Sequence, residues 1–191
     1  IIVRKTTQKI TLSAMFIAIG IVLPFFTGQI RQIGSMLLPM HLPVFLCGLI
    51  CGWQYGAAAG FILPLLRSFL FGMPPMYPMA AAMSFELATY GLVAGLMYQR
   101  SHWKCILALY RSLITAMVAG RIVWGIAEII LLGIAGSTFT WKMFISGALL
   151  NAIPGIIIQL ILIPGIMLAL KRTGLVPLNK KTGEQVELSE N

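Results

Sequence analysis

The sequence predicts an all-α integral membrane protein, a bundle of six transmembrane helices with both termini in the cytoplasm. Three observations predict it. Of 191 residues, 59% are hydrophobic and only 10% are charged, and the mean hydropathy is +0.92. A soluble domain carries about 25% charged residues, so this chain lacks the polar groups to cover itself. Nearly all of the chain also divides into apolar runs separated by short polar breaks, the pattern of successive spanning helices. Finally, the basic residues fall unequally on alternate breaks, which orients the bundle.

The first run, residues 12–26, follows a basic segment with Arg4, Lys5 and Lys9. No small-residue cleavage site follows it, so it reads as a span and not as a signal peptide. Residues 28–40 form a loop carrying Gln29, Arg31, Gln32 and Ser35. The second run, 42–51, covers only about 15 Å as a helix, half of a hydrocarbon core. It either borrows residues 39–41 or does not fully cross. The third run is 55–71, and after the Pro-rich break 72–78 the fourth is 79–98. The fifth, 105–132, follows Arg100 and Lys104; the sixth, 143–170, ends at Lys171 and Arg172. Residues 1–172 therefore form one membrane domain and 173–191 a polar cytoplasmic tail. Six spans put nine basic residues (Arg4, Lys5, Lys9, Arg100, Lys104, Lys171, Arg172, Lys180, Lys181) on the side of the termini. The opposite loops hold Arg31 and Lys142, so the termini are cytoplasmic by the positive-inside rule.

Composition excludes several chemistries. The five acids are all Glu, so Asp-based magnesium, phosphoenzyme and aspartic-dyad chemistry is ruled out. Three Cys in apolar sequence do not form a disulfide framework, and Cys47 and Cys51 lack further soft ligands for a metal. The net charge of +9 lies between apolar runs without aromatic interleaving, which argues against a nucleic-acid partner. No Gly-rich loop followed by Lys and Ser/Thr is present, and no HExxH or GxSxG. The chain shows no catalytic constellation, no cofactor site and no energy source of its own.

An ionisable residue inside a span costs several kcal/mol unless it is paired or wetted, which makes it a functional candidate. From about 1.5 Å of rise per residue, Glu86 lies about 10–12 Å below the outer face and Asn151 about 12–13 Å. On the fifth span Glu128 lies about 6–8 Å down, Trp124 about 12–14 Å and Arg121 about 17–18 Å. Positions 121, 124 and 128 share one helical face. Three helices thus bring polar groups into one shallow layer, the pattern of a small-molecule pocket open to the outside. The competing reading is a packing pair in which Glu86 or Glu128 neutralises Arg121. Arg67 sits near the outer end of its span and can snorkel. His41, at an outer boundary, is either a ligand contact or an interfacial anchor. Arg111 reads as an anchor at the cytoplasmic end. Pro154 frees the carbonyl of Leu150 beside Asn151, and Pro74, Pro75 and Pro78 form either a lid or a tight connector. Gly48/Gly52, Gly56/Gly60 and Gly91/Gly95 are GxxxG pairs suited to internal packing, whereas Ala14/Ala18 stands out in an otherwise bulky first helix.

These residues carry a resemblance. Ala14-Met-Phe-Ile-Ala18, Met40-His-Leu-Pro-Val-Phe, MAAAMSFELATYGL at 79–92, AGRIVWG at 119–125 and NAIPG at 151–155 resemble the substrate-binding S component of energy-coupling-factor (ECF) vitamin transporters, over residues 9 to 172. The resemblance implies a non-enzymatic subunit in a prokaryotic plasma membrane that captures a B vitamin or precursor at the outer face. It implies docking of the Ala14/Ala18 face on a transmembrane scaffold subunit, with two partner ATPases driving release inside. It carries Glu86, Arg121, Trp124, Glu128 and Asn151 over as pocket residues, with Arg31 and His41 as lid contacts. One deep Arg, with Arg67 and Arg31 drawing an anion inward, favours pantothenate. Two Glu residues and Trp124 favour pyridoxine or hydroxymethylpyrimidine instead. The rival classes are a gradient-driven or passive transporter, against which no inverted repeat is found, and a membrane enzyme, against which the missing His/acid cluster speaks.

Overall fold

A computed structural model describes residues 2–26, 40–102, 105–134, 136 and 153–172. Among them are six α-helices: α1 (Ile2–Phe26), α2 (His41–Ile50), α3 (Trp53–Phe71), α4 (Ala81–Arg100), α5 (Ile106–Ile134) and α6 (Ile153–Arg172). One π-type turn, Met76–Ala80, leads into α4, and no strand occurs among the described residues. Four stretches are long and apolar enough to cross a membrane: Thr6–Phe25, Met76–Arg100, Ile106–Ile134 and Ile153–Lys171. Their mean hydropathies run from 1.3 to 2.4, and large aliphatic side chains such as Leu107, Ile129 and Ile161 face outward. In hydrocarbon every backbone polar group must be satisfied within the segment, which is why these runs are helical.

The short apolar run is α2, ten residues long, with all of its length between His41 and Leu49 buried except Leu42. A helix of about 15 Å cannot face lipid across the core; here it is enclosed by α1, α3, α4 and α6. Val44, Phe45, Leu46, Cys47 and Leu49 belong to one core cluster with Leu63, Leu87, Tyr90 and Leu113. The buried thiol of Cys47 donates to Ser13 Oγ of α1 at 3.4 Å.

Glycine sets how closely α2, α3 and α4 approach. A Cβ on Gly48 would lie 2.5 Å from the carbonyl oxygen of Gly91, and one on Gly95 would lie 2.7 Å from Cα of Trp53. Backbone thus packs on backbone where the sequence shows its GxxxG pairs, the close approach that small residues allow between membrane helices. Gly52, at φ 118°, makes the sharp turn from α2 into α3, a conformation that a side chain would strain.

The Pro-rich break between α3 and α4 is held at both ends. Ser68 donates to the Pro74 carbonyl at 2.6 Å, and the Tyr77 hydroxyl donates to the Leu131 carbonyl of α5. These bonds tie the break to α3 and to α5. Pro154 is the second described residue of α6; Leu150 lies outside the described residues, so the expected free carbonyl does too.

Candidate functional site

The site grows from Glu86. Glu86 is 2% exposed in the second turn of α4. A carboxylate there needs both a counter-charge and hydrogen bonds. Arg121 of α5 supplies the charge, with Nη1 3.0 Å from Oε1 of Glu86. Tyr90, one turn further along α4, donates its hydroxyl to the same oxygen at 2.6 Å. The spacing of four residues places both side chains on one helix face.

Tyr90 is positioned by two contacts. Its ring stacks on Phe45 of α2, centroids 5.0 Å apart with an interplanar angle of 23°. On its other side it lies over Gly120 of α5, where any Cβ would run into the ring. His41, one turn before Phe45, completes the group: its ring centroid is 5.3 Å from that of Tyr90. Nε2 of His41 stands 3.9 Å from Oε1 of Glu86, beyond hydrogen-bond reach. Three helices thus converge on one carboxylate oxygen.

The ion pair does not use all of the cluster's polar atoms. Both ring nitrogens of His41 and Nε of Arg121 are buried without a hydrogen-bond partner among the described residues. Buried polar atoms are paired in the great majority of cases, so three orphans around one ion pair mark a polar cluster whose hydrogen bonds the described residues do not complete.

Of the sequence-predicted residues, the structure brings together Glu86, Arg121 and His41. The packing-pair reading of Arg121 is correct in that Glu86 is its counter-ion, and the pairing does not exhaust its donors. The anchoring reading of His41 is corrected: at 1% exposure it is a core residue, because α2 is enclosed by the bundle. Glu128 is buried on the same α5 face as Arg121, and no ion pair reaches it among the described residues. Trp124 lies half-buried between them in sequence. Arg67 stays on α3, with Nε buried and unpartnered and no ion pair to either Glu among the described residues. Arg31 and Asn151 lie outside the described residues. Ala14 and Ala18 are exposed on the face of α1 opposite the buried Phe16 and Gly20, flanked by the exposed Met15, Ile19 and Val22.

Sequence reasoning missed Tyr90, Phe45 and Gly120. Tyr90 had a readable signal, standing four residues after a membrane-buried Glu; Phe45 and Gly120 matter only through the packing of α2 and α5 around it. Among the described residues no group of three His, Cys or Glu gathers as a metal site.

Residues 8–167 match the family described as ECF transporter, substrate-specific component. No curated protein and no solved structure matches the chain. With a match over most of its length, on apolar helices that enclose a buried polar cluster, the chain belongs to the substrate-specific components of ECF transporters.

Proposed function

We propose that this ECF substrate-binding subunit holds its ligand against the Glu86–Arg121–His41 cluster, and that the ligand is an acceptor-rich B vitamin or precursor, pantothenate first. The observation that carries the reading is the set of unpartnered polar atoms, Nδ1 and Nε2 of His41 and Nε of Arg121, around a single buried ion pair. A molecule with a carboxylate, an amide and hydroxyls offers acceptors for their N–H groups and a donor for an imidazole nitrogen that bears no proton, and Trp124, Glu128 and Asn151 complete the proposed pocket. Arg67 and Arg31 draw an anion toward it. Glu128, buried with no ion pair among the described residues, favours a second reading in which a protonated or hydrogen-bonding heterocycle, pyridoxine or hydroxymethylpyrimidine, is bound instead.

In the proposed arrangement six helices span a prokaryotic plasma membrane with both termini inside, a reading that the distribution of basic residues supports. The exposed Ala14/Ala18 face of α1 docks on the scaffold subunit, where small side chains let helices approach closely. Two ATPases on that scaffold supply the energy. Isothermal titration of the purified protein with pantothenate, pyridoxine and hydroxymethylpyrimidine tests the reading. The expected result is saturable binding of pantothenate, weakened at least tenfold, or about 1.4 kcal/mol, by Glu86→Gln and by Asn151→Ala. Tight binding of a heterocycle alone establishes the second reading, and unchanged affinity in both variants refutes the pocket.

A further inference from the structure

At the opposite end of α4 and α5 from Glu86, an open cavity of about 350 Å³ lies between the two helices. Val93, Leu96 and Met97 of α4 form its apolar wall; Arg100, Ser101 and Arg111 form its rim. Positions 93, 96, 97 and 100 recur at helical spacing and so line one face. Both arginines are exposed. The carboxylates among the described residues are Glu86 and Glu128, which stand fourteen and seventeen positions along the same helices, about 21 and 25 Å away. Among the described residues the rim is therefore a concentration of positive charge without a nearby carboxylate.

The helices themselves explain only half of it. Arg100 sits in the last turn of α4, where a cation favours the helix dipole. Arg111 sits in the second turn of α5, away from the negative end of that helix, and so gains nothing from its dipole. An anion between the two arginines supplies the counter-charge that Arg111 lacks and meets Arg100 as well. The apolar wall beside the rim would be left unused by a small hydrated ion.

We propose that this cavity binds the phosphate of an anionic phospholipid, with Arg100 and Arg111 on the headgroup and the glycerol and upper acyl region along Val93, Leu96 and Met97. The chemistry shared with any soluble phosphate is the doubly arginine-held anion; the apolar wall assigns it to a lipid. Basic pockets between membrane helices at the cytoplasmic side favour such headgroups, and this is the end of the chain where its basic residues gather. The site is separate from the vitamin cluster and does not depend on it.

The test uses the full chain, delipidated in a non-ionic maltoside detergent, with phospholipid retention read by native mass spectrometry. Phosphatidylglycerol is expected to bind saturably with one high-affinity equivalent, and phosphatidylcholine at least tenfold more weakly. Arg100→Gln with Arg111→Gln is expected to weaken phosphatidylglycerol at least tenfold, with helix content by circular dichroism unchanged. Met97→Trp, which fills the cavity and keeps both charges, is expected to weaken it as well. Equal retention in the double arginine variant, or equal retention of the two lipids, overturns the proposal. Unaltered binding in Met97→Trp reduces it to diffuse surface attraction and overturns the cavity. Displacement of the lipid by an equal concentration of inorganic phosphate overturns the lipid assignment.

Discussion

The buried ion pair makes the sharpest prediction. Glu86→Gln removes the charge facing Arg121 while keeping the side-chain volume and one oxygen for the Tyr90 hydroxyl. Breaking one partner of a buried pair costs about 3–5 kcal/mol, because the other charge is left uncompensated. Arg121 retains 15% exposure, so the lower figure, about 3 kcal/mol, applies to Glu86→Gln. Arg121→Gln strands a carboxylate that is only 2% exposed and costs at least as much. The double variant removes both charges together and leaves two amides able to hydrogen-bond. It is expected to lose about 2–3 kcal/mol less than the sum of the singles, the coupling typical of neighbouring groups. Reversible unfolding by SDS in mixed micelles, followed by far-UV circular dichroism, measures all four corners of the cycle. Additivity within about 0.5 kcal/mol would refute a direct Glu86–Arg121 interaction.

Tyr90→Phe keeps the stack on Phe45 and removes a hydrogen bond to a charged acceptor; the same unfolding assay is expected to show a loss of about 1.5–3 kcal/mol. Gly91→Ala forces a Cβ into the backbone of Gly56 and is expected to cost about 1–3 kcal/mol, as overpacking does. Gly133→Ala, with nothing within 4 Å of the added Cβ among the described residues, is expected to be neutral or to gain up to about 1 kcal/mol of helix propensity. A thermal-unfolding comparison of the two glycine variants checks both signs. Ala14→Leu with Ala18→Leu, on an exposed face of α1, is expected to leave ligand affinity unchanged and to abolish co-purification with the scaffold subunit. A normal complex from that variant would return the pair to lipid-facing positions without a docking role.

What the sequence revealed and what it withheld follow from the physics of a membrane chain. Helix existence is legible because hydropathy in a bilayer is unambiguous, so each of the six apolar runs contains or overlaps one of the described helices. The glycine pairs are legible for the same reason: Gly48, Gly56 and Gly91 interrupt bulky runs, and the structure packs backbone on backbone there. The layer holding Glu86 and Arg121 is legible from rise per residue alone. The depth of His41 is not, because whether a ten-residue helix lies at a boundary or in the core depends on which helices surround it. Helix-face arithmetic put Arg121 and Glu128 on one face and left either Glu86 or Glu128 as the counter-ion of Arg121; the structure gives the pair to Glu86 on α4. Pairing across helices depends on their rotation about their axes, and here that rotation is fixed by Tyr90 lying over Gly120, a contact between residues thirty positions apart.

The central claim is that the Glu86–Arg121–His41 cluster holds a vitamin-class molecule. Its most direct test is to purify the protein, denature it and identify the released small molecule by mass spectrometry, beside an identical preparation of His41→Ala. A stoichiometric acceptor-rich vitamin or precursor is expected from the wild type, and at least a tenfold smaller yield from His41→Ala at equal helix content. The same molecule released in equal amount from both preparations would place the ligand away from His41 and refute the proposed site.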